Sequence, residues 1–252
     1  MNARNIQQHA PFRILLIGDK CTDVYQFGTV DRLSPEAPVP IFVPTHKEER
    51  EGMAGNVYAN LVNLGCTVDI VCGHPSKKTR LIDIRSKQQI LRIDQDEKSI
   101  PVVNVNPDGY DAIVISDYDK GIVSYELVEG LVKSCSLPIF IDTKKKDLRC
   151  FNGCYVKIND LEYNTALTLP SNNWLITTKG KNGTLYNGKM YPASNAGDVT
   201  DVTGAGDTFL AALAVQYLKT RNIENAIEFA NKAAAVTVQH LGVYAPTLEE
   251  IQ

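Results

Sequence analysis

Short apolar runs of strand length, set between segments of helical period, constrain this chain more than any other feature. Phe12 to Ile17, Val68 to Cys72, Ala112 to Ser116, Ile139 to Asp142, Tyr155 to Ile158 and Trp174 to Thr177 are almost continuously apolar and are bounded by Gly, Pro or charge. A strand with one wet face alternates, whereas a strand apolar throughout is buried on both faces, as in a mostly parallel sheet covered by helices. Between the runs, the spacing predicts helices over Gly55 to Leu64, Ser124 to Cys135, Asp160 to Leu167, Gly206 to Lys219 and Ile223 to Leu241, with Ser124 and Asp160 as N-caps. The result is an α/β layered fold. Its ligands are expected beyond the carboxyl ends of the strands, in the loops after Ser116, Asp142 and Ile158 and in the turn at Gly204. The sequence has no internal repeat, low-complexity stretch or linker, so one domain over residues 1–252 is expected.

A second set of strands does not fit that scheme. Val39 to Thr45, Lys78 to Ile84 and Gln89 to Ile93 read as exposed or edge strands, the last two as a hairpin turned near Arg85, Ser86 and Lys87. Two arrangements are open at this point: a flap built from residues 38–45 and 78–94, or an edge extension of the main sheet.

Composition bounds the partners. The 252 residues are 44% hydrophobic and 22% charged, enough to bury one sizeable core, and the formal net charge of -3 offers no broad attraction to nucleic acid or anionic membrane. Affinity for an anion must therefore be local. Met1 to Pro11 is polar and the apolar run Ile14 to Ile17 is too short for a signal segment or a membrane span, so a cytoplasmic location is expected. The cysteines form no C-x-x-C pair and are expected to be reduced; Cys150 and Cys154 have no histidine close in sequence, so zinc is not expected.

Local anion affinity has an evident source. In Asp201-Val202-Thr203-Gly204-Ala205-Gly206-Asp207-Thr208-Phe209, a turn of bare backbone opens directly into a helical pattern. Gly204, Ala205 and Gly206 let successive N–H groups converge, and the helix adds its positive dipole end at the same point. A carboxylate beside such a cradle is out of place unless it acts on something other than the anion. Asp207, aimed past a phosphate at an attacking hydroxyl, is a candidate general base. An ordinary helix N-terminus capped by Thr203 is the alternative. The chain lacks G-x-x-x-x-G-K-[ST], and Phe209 stands where a dinucleotide fingerprint starting at Gly204 needs its third glycine.

This stretch resembles the C-terminal signature of the ribokinase-like (PfkB-type) carbohydrate kinases. The resemblance extends over Gly18 to Tyr25, Arg32 to Pro40, Glu48 to Arg50, Gln88 to Asp94, Ser116 to Gly121, Ile141 to Lys144 and Asn159-x-x-Glu162, and within the family it is nearest to the bacterial heptose 7-phosphate kinase domain. It implies a three-layer α/β/α sandwich with a small β flap. It also implies ATP-dependent phosphorylation of the anomeric hydroxyl of a heptose 7-phosphate, with Mg²⁺, and a homodimer joined through the flap strands. On this pattern Asp207 is the base and the amides of Gly204, Ala205 and Gly206 form the anion hole. Asp23, Gly52, Asn56 and Lys120 would bind the sugar, and Asn159 and Glu162 would organise the hydrated metal. Thr178, Gly180, Gly183, Asn231 and Gly242 would surround the nucleotide. Asp201 and Thr203, with carbonyls near Gly242, resemble a potassium site found in some members, and Lys144 aligns with a family lysine.

Taken on their own chemistry, Asp23 could equally close a turn, Glu162 could equally cap a helix, and Lys144 to Lys146 could be a solvated basic turn. Three features depart from the family pattern. Gly52-Met53-Ala54-Gly55-Asn56 carries methionine where the family's sugar loop has glycine, the segments at Gly73 to Lys78 and Ala166 to Trp174 are short, and Thr143 stands in place of a proline. A kinase for another sugar or a nucleoside, and a non-catalytic nucleotide-binding homologue, are the competing expectations.

Overall fold

The computed structural model describes residues 11–96, 98–171, 174–195 and 197–251; the polar stretch at residues 1–10 lies outside the described residues. The main sheet is built from β1 (Arg13–Gly18), β4 (Thr67–Cys72), β7 (Ala112–Asp117), β8 (Ile139–Thr143), β9 (Tyr155–Asn159), β10 (Leu175–Thr178), β11 (Thr184–Tyr186) and β12 (Lys189–Tyr191). Its order is β12-β11-β10-β9-β8-β7-β1-β4, parallel from β10 through β4 and antiparallel only at β11 and β12.

Two-residue alternation divides the core into two layers. Ile14 and Leu16 of β1, Ala112 and Val114 of β7, and Phe140 of β8 pack under α1 (Ala54–Asn63), α4 (Ala205–Thr220) and α5 (Ile223–Thr237). Leu15, Ile17, Ile113, Ile115, Ile139 and Ile141 face the other way, under α2 (Tyr125–Ser134) and Phe151. Because both faces are covered, these strands are apolar throughout, and the chain folds as the expected three-layer α/β/α sandwich.

The flap strands pair only with one another. β2 (Lys20–Leu33), β3 (Pro40–Met53), β5 (Ser76–Asp83) and β6 (Gln89–Gln95) form a separate sheet of order β3-β2-β5-β6, so the edge-extension alternative is excluded. Sequence reading missed β2 altogether, because its mixed polarity, KCTDVYQFGTVDRL, carries no strict alternation. It also ended β3 eight residues too early, at Thr45 rather than Met53, since the charged run Lys47 to Glu51 looks like loop yet lies along a largely exposed strand. The β11–β12 hairpin was missed as well, its strands being too short to show a period.

Several helix ends move. Ser124 caps α2 as expected, accepting from the Leu127 N–H at 3.1 Å. In α3 (Asp160–Thr165) the cap is Asn159, not Asp160, and the helix stops before Leu167. α5 stops at Thr237 rather than Leu241, and α4 begins at Ala205 with Gly204, not Thr203, as its N-cap.

Candidate active site

The carboxyl ends of β1, β7, β8 and β9 converge on the first turn of α4, where the order of strands reverses direction about β1. Gly204 adopts φ 80°, which ends the preceding loop and turns the first amides of α4 outward, and it carries no side-chain cap to compete for them. Gly206 is required for a different reason: a Cβ there would stand 2.8 Å from Lys157 Nζ. The bare backbone thus admits a buried ammonium to the mouth of the turn. Lys157 Nζ donates to Asp142 Oδ2 at 2.6 Å, with both side chains at most 4% exposed. The other oxygen of Asp142, Oδ1, is buried without a hydrogen-bond partner among the described residues. Neither residue was singled out from sequence; a lysine within the apolar run Tyr155 to Ile158 is the signal that could have found Lys157.

Asp207, on the same turn, is buried. Asn56, in the first turn of α1, donates Nδ2–H to Asp207 Oδ2 at 2.9 Å, and the Tyr118 hydroxyl donates to Oδ1 at 3.1 Å. Burial pushes the Asp207 carboxyl up to about 6; the Asn56 hydrogen bond opposes this, Asp142 adds to it, and Lys157 and Tyr118 oppose it. A carboxylate poised near neutrality can accept a proton at physiological pH.

Asn159 and Glu162 form a reciprocal capping box: the Glu162 N–H donates to Asn159 Oδ1 at 2.8 Å and the Asn159 N–H to Glu162 Oε2 at 2.7 Å. Lys144 donates to Glu162 Oε1, and its ammonium also lies 3.8 Å from Asp142 Oδ1. A single cation therefore sits between two carboxylates. Among the described residues no cluster of three or more His, Cys, Asp or Glu side chains has metal-binding geometry.

A cavity of about 960 Å³ opens from this point. Gly204, Ala205, Gly206, Asp207, Asn159, Thr178, Gly180, Gly183 and Asn231 line it, with Ala234, Ala235 and Val238 of α5 forming an apolar wall. Asn231 is committed internally: Nδ2 donates to the Tyr191 and Pro192 carbonyls and Oδ1 accepts from Thr184, so it fastens the β11–β12 hairpin to α5.

The remaining candidates lie apart from the cavity lining. Asp23 is in strand β2 and closes no turn, and Arg80 of β5 donates to it at 2.5 Å; Gly52 lies against Asp23 and Cys21. Lys120 pairs with Asp96 at 2.6 Å. Gly242 donates its N–H to Asp201 Oδ2 and packs on Arg50 and Tyr25 of the small sheet, so it joins the two sheets instead of walling the cavity. Asp201 Oδ1 also accepts from the Thr203 N–H and hydroxyl.

Residues 158–250 match the model of the pfkB family carbohydrate kinases. The chain is 34% identical to the bifunctional protein HldE of Nitratiruptor sp. over 95% of its own length, and spans 64% of that relative. It is 29% identical to the D-beta-D-heptose 7-phosphate kinase of Bordetella bronchiseptica, which it spans to 98%. Among solved structures it superimposes on Arabidopsis thaliana ribokinase complexed with ribose and ATP with a TM-score of 0.71 at 16% identity, covering 96% of this chain and 98% of that one. It superimposes on phosphofructokinase-2 of Escherichia coli in complex with potassium with a TM-score of 0.68 at 13% identity, covering 97% of each chain.

Proposed function

We propose that this chain, a ribokinase-like member of the PfkB carbohydrate-kinase family, is an ATP-dependent sugar kinase that phosphorylates the anomeric hydroxyl of a heptose 7-phosphate. The observation that carries the reading is Asp207, buried and raised toward neutrality, in the first turn of the helix whose N-terminal amides face the 960 Å³ cavity. Asp207 accepts the proton of the sugar hydroxyl as its oxygen attacks the terminal phosphorus and ADP departs. The amides of Gly204, Ala205 and Gly206 and the α4 dipole stabilise the charge on the transferring group, and Lys157 supplies a fixed positive charge beside them.

Nucleotide binding fits the cavity's size and its apolar wall on α5. A hydrated divalent cation would neutralise the polyphosphate when bound; Glu162 and Asp142 now share the Lys144 ammonium, which would have to give way to it. Asn159 and Glu162 would hold it through water, with Mg²⁺ the ion of choice. At Asp201 and Thr203 no side-chain oxygen is left without a partner, so potassium is assigned no step. Asp23 and Asn56 would face the sugar from β2 and α1. The heptose 7-phosphate choice draws on the name of the Bordetella relative. A panel of sugars and sugar phosphates, including heptose 7-phosphate, assayed for ADP release with ATP and Mg²⁺, tests it. Release above background on heptose 7-phosphate supports the reading, and turnover confined to another sugar or nucleoside overturns the substrate.

A further inference from the structure

We propose that Tyr118 is a positioning residue that holds the Asp207 carboxylate in register with the incoming hydroxyl, a role that rests on the reading of Asp207 as base. Tyr118 follows β7 in a loop tied down from the neighbouring strand end. Its backbone N–H donates to Oδ2 of the buried Asp19 at 2.8 Å, and the N–H of Lys120 donates to the same oxygen at 3.1 Å. Two ammonium groups lie over its ring, Lys144 Nζ at 5.2 Å and Lys78 Nζ of the small sheet at 5.9 Å from the ring centre. The hydroxyl is thereby delivered to Asp207 Oδ1 at 3.1 Å, while Asn56 holds Oδ2 from the opposite element.

One donor on each oxygen fixes the plane of the carboxylate, and each oxygen keeps a lone pair. A proton acceptor needs that combination: oriented, yet not saturated. Tyr118 cannot take the base role itself, because burial and the neighbouring Asp207 charge hold its hydroxyl well above the usual tyrosine range. It remains a donor at every working pH. The other groups facing Asp207 are Asp142 from β8, Lys157 from β9, Lys144 from the loop after β8 and Cys21 from β2. Tyr118→Phe leaves all of these in place and deletes one oxygen.

The test compares parent, Tyr118→Phe and Asp207→Asn, with ATP, Mg²⁺ and heptose 7-phosphate, over a range of pH. We expect Tyr118→Phe to lower kcat by about tenfold with the KM for ATP little changed. The acidic limb of its kcat/KM profile should move to higher pH, since a hydrogen bond that favours the ionised carboxylate is gone. A residue of purely structural importance lowers the folded fraction and leaves that limb where it was. The pH dependence of thermal stability gives the same comparison without substrate, as the step assigned to Asp207 should move upward in Tyr118→Phe. Tyr118→Phe with parental kcat and an unmoved limb, alongside an inactive Asp207→Asn, overturns the positioning role alone. Parental turnover in Asp207→Asn overturns the base reading and this proposal with it.

Discussion

The Lys157 ammonium donates to Asp142 Oδ2 at 2.6 Å in the interior, in the space that a side chain at Gly206 would need. Two opposite charges in so dry a position stabilise little as a pair, but either one alone is costly. Lys157→Met should therefore destabilise the fold by roughly 3 kcal/mol, because it leaves Asp142 buried with Oδ1 already lacking a partner and only Lys144 nearby. Adding Asp142→Leu should recover most of that loss. Denaturant midpoints of the two single variants and the double variant check this; a double variant as unstable as the sum of the singles would refute the coupling.

The raised Asp207 carboxyl has a consequence for stability as well as for the proposed catalysis. Its folded value of about 6 stands above the unfolded 3.8, so the folded state binds the proton more tightly. The ionised side chain costs stability above about pH 6, and the cost disappears as pH falls toward 4. Asp207→Asn should accordingly be more stable than the parent at pH 8, on the order of 2 kcal/mol, with the gain fading by pH 4, while turnover falls about a hundredfold or more. Thermal midpoints at both pH values, together with ADP release, provide the measurement. Equal midpoints at pH 8 would mean that the carboxylate is not held at a cost.

How much of this was legible in the chain follows from what each signal depends on. Strands apolar on both faces announce themselves, and the bare backbone and acidic residue of the Gly204 to Asp207 turn stand together in four residues. β2 and the far half of β3 were illegible because their neighbours are other half-exposed strands rather than a core, so no apolar period was imposed on Lys47 to Glu51. Asp23 was misplaced for the same reason. The ion pair of Lys157 with Asp142 and the donation by Tyr118 were invisible, since each joins positions brought together only by the order of strands in the sheet.

Glu162 has one observed duty and one proposed duty, which one substitution can separate. It closes the capping box of a six-residue helix and would face the hydrated metal. Glu162→Gln keeps a hydrogen-bonding side chain at the cap, so the stability loss should be about 1 kcal/mol or less, while the Mg²⁺ concentration giving half-maximal rate rises severalfold. A Mg²⁺ titration superimposable on the parent's would leave Glu162 as a cap only.

The small sheet leaves β3 as one of its two edges, with Val43 on the strand 53% exposed and Val39 just before it 51% exposed. An open edge of this kind is a hazard that pairing with a symmetric copy removes. We expect a homodimer through these strands, and a shift toward monomer in Val43→Lys. Light scattering on the parent at micromolar concentration that returns the monomer mass would sink the idea.

Met53 joins the small sheet to the helix that carries Asn56, and it does so in a conformation that suits glycine. Its φ of 56° and ψ of -128° lie where an L side chain is strained by roughly 1–3 kcal/mol, and the side chain is buried at 4% exposure without lining the cavity. Strain and side chain can be separated by two variants. Met53→Ala removes most of the side chain and keeps the strain, whereas Met53→Gly removes both. Elsewhere glycine is usually the less stable of the two, by about 0.5–1 kcal/mol in regular structure. Here the order should reverse, with Met53→Gly melting above Met53→Ala. The same pair reads specificity. If the thioether restricts the junction of β3 and α1 over Gly52 to Asn56, where the family pattern expects a sugar loop, kcat/KM on heptose 7-phosphate rises in both variants, which is the outcome we expect. High parental activity that neither variant improves would remove Met53 from substrate selection, leaving only its backbone strain, and an alanine variant more stable than the glycine variant would remove that as well.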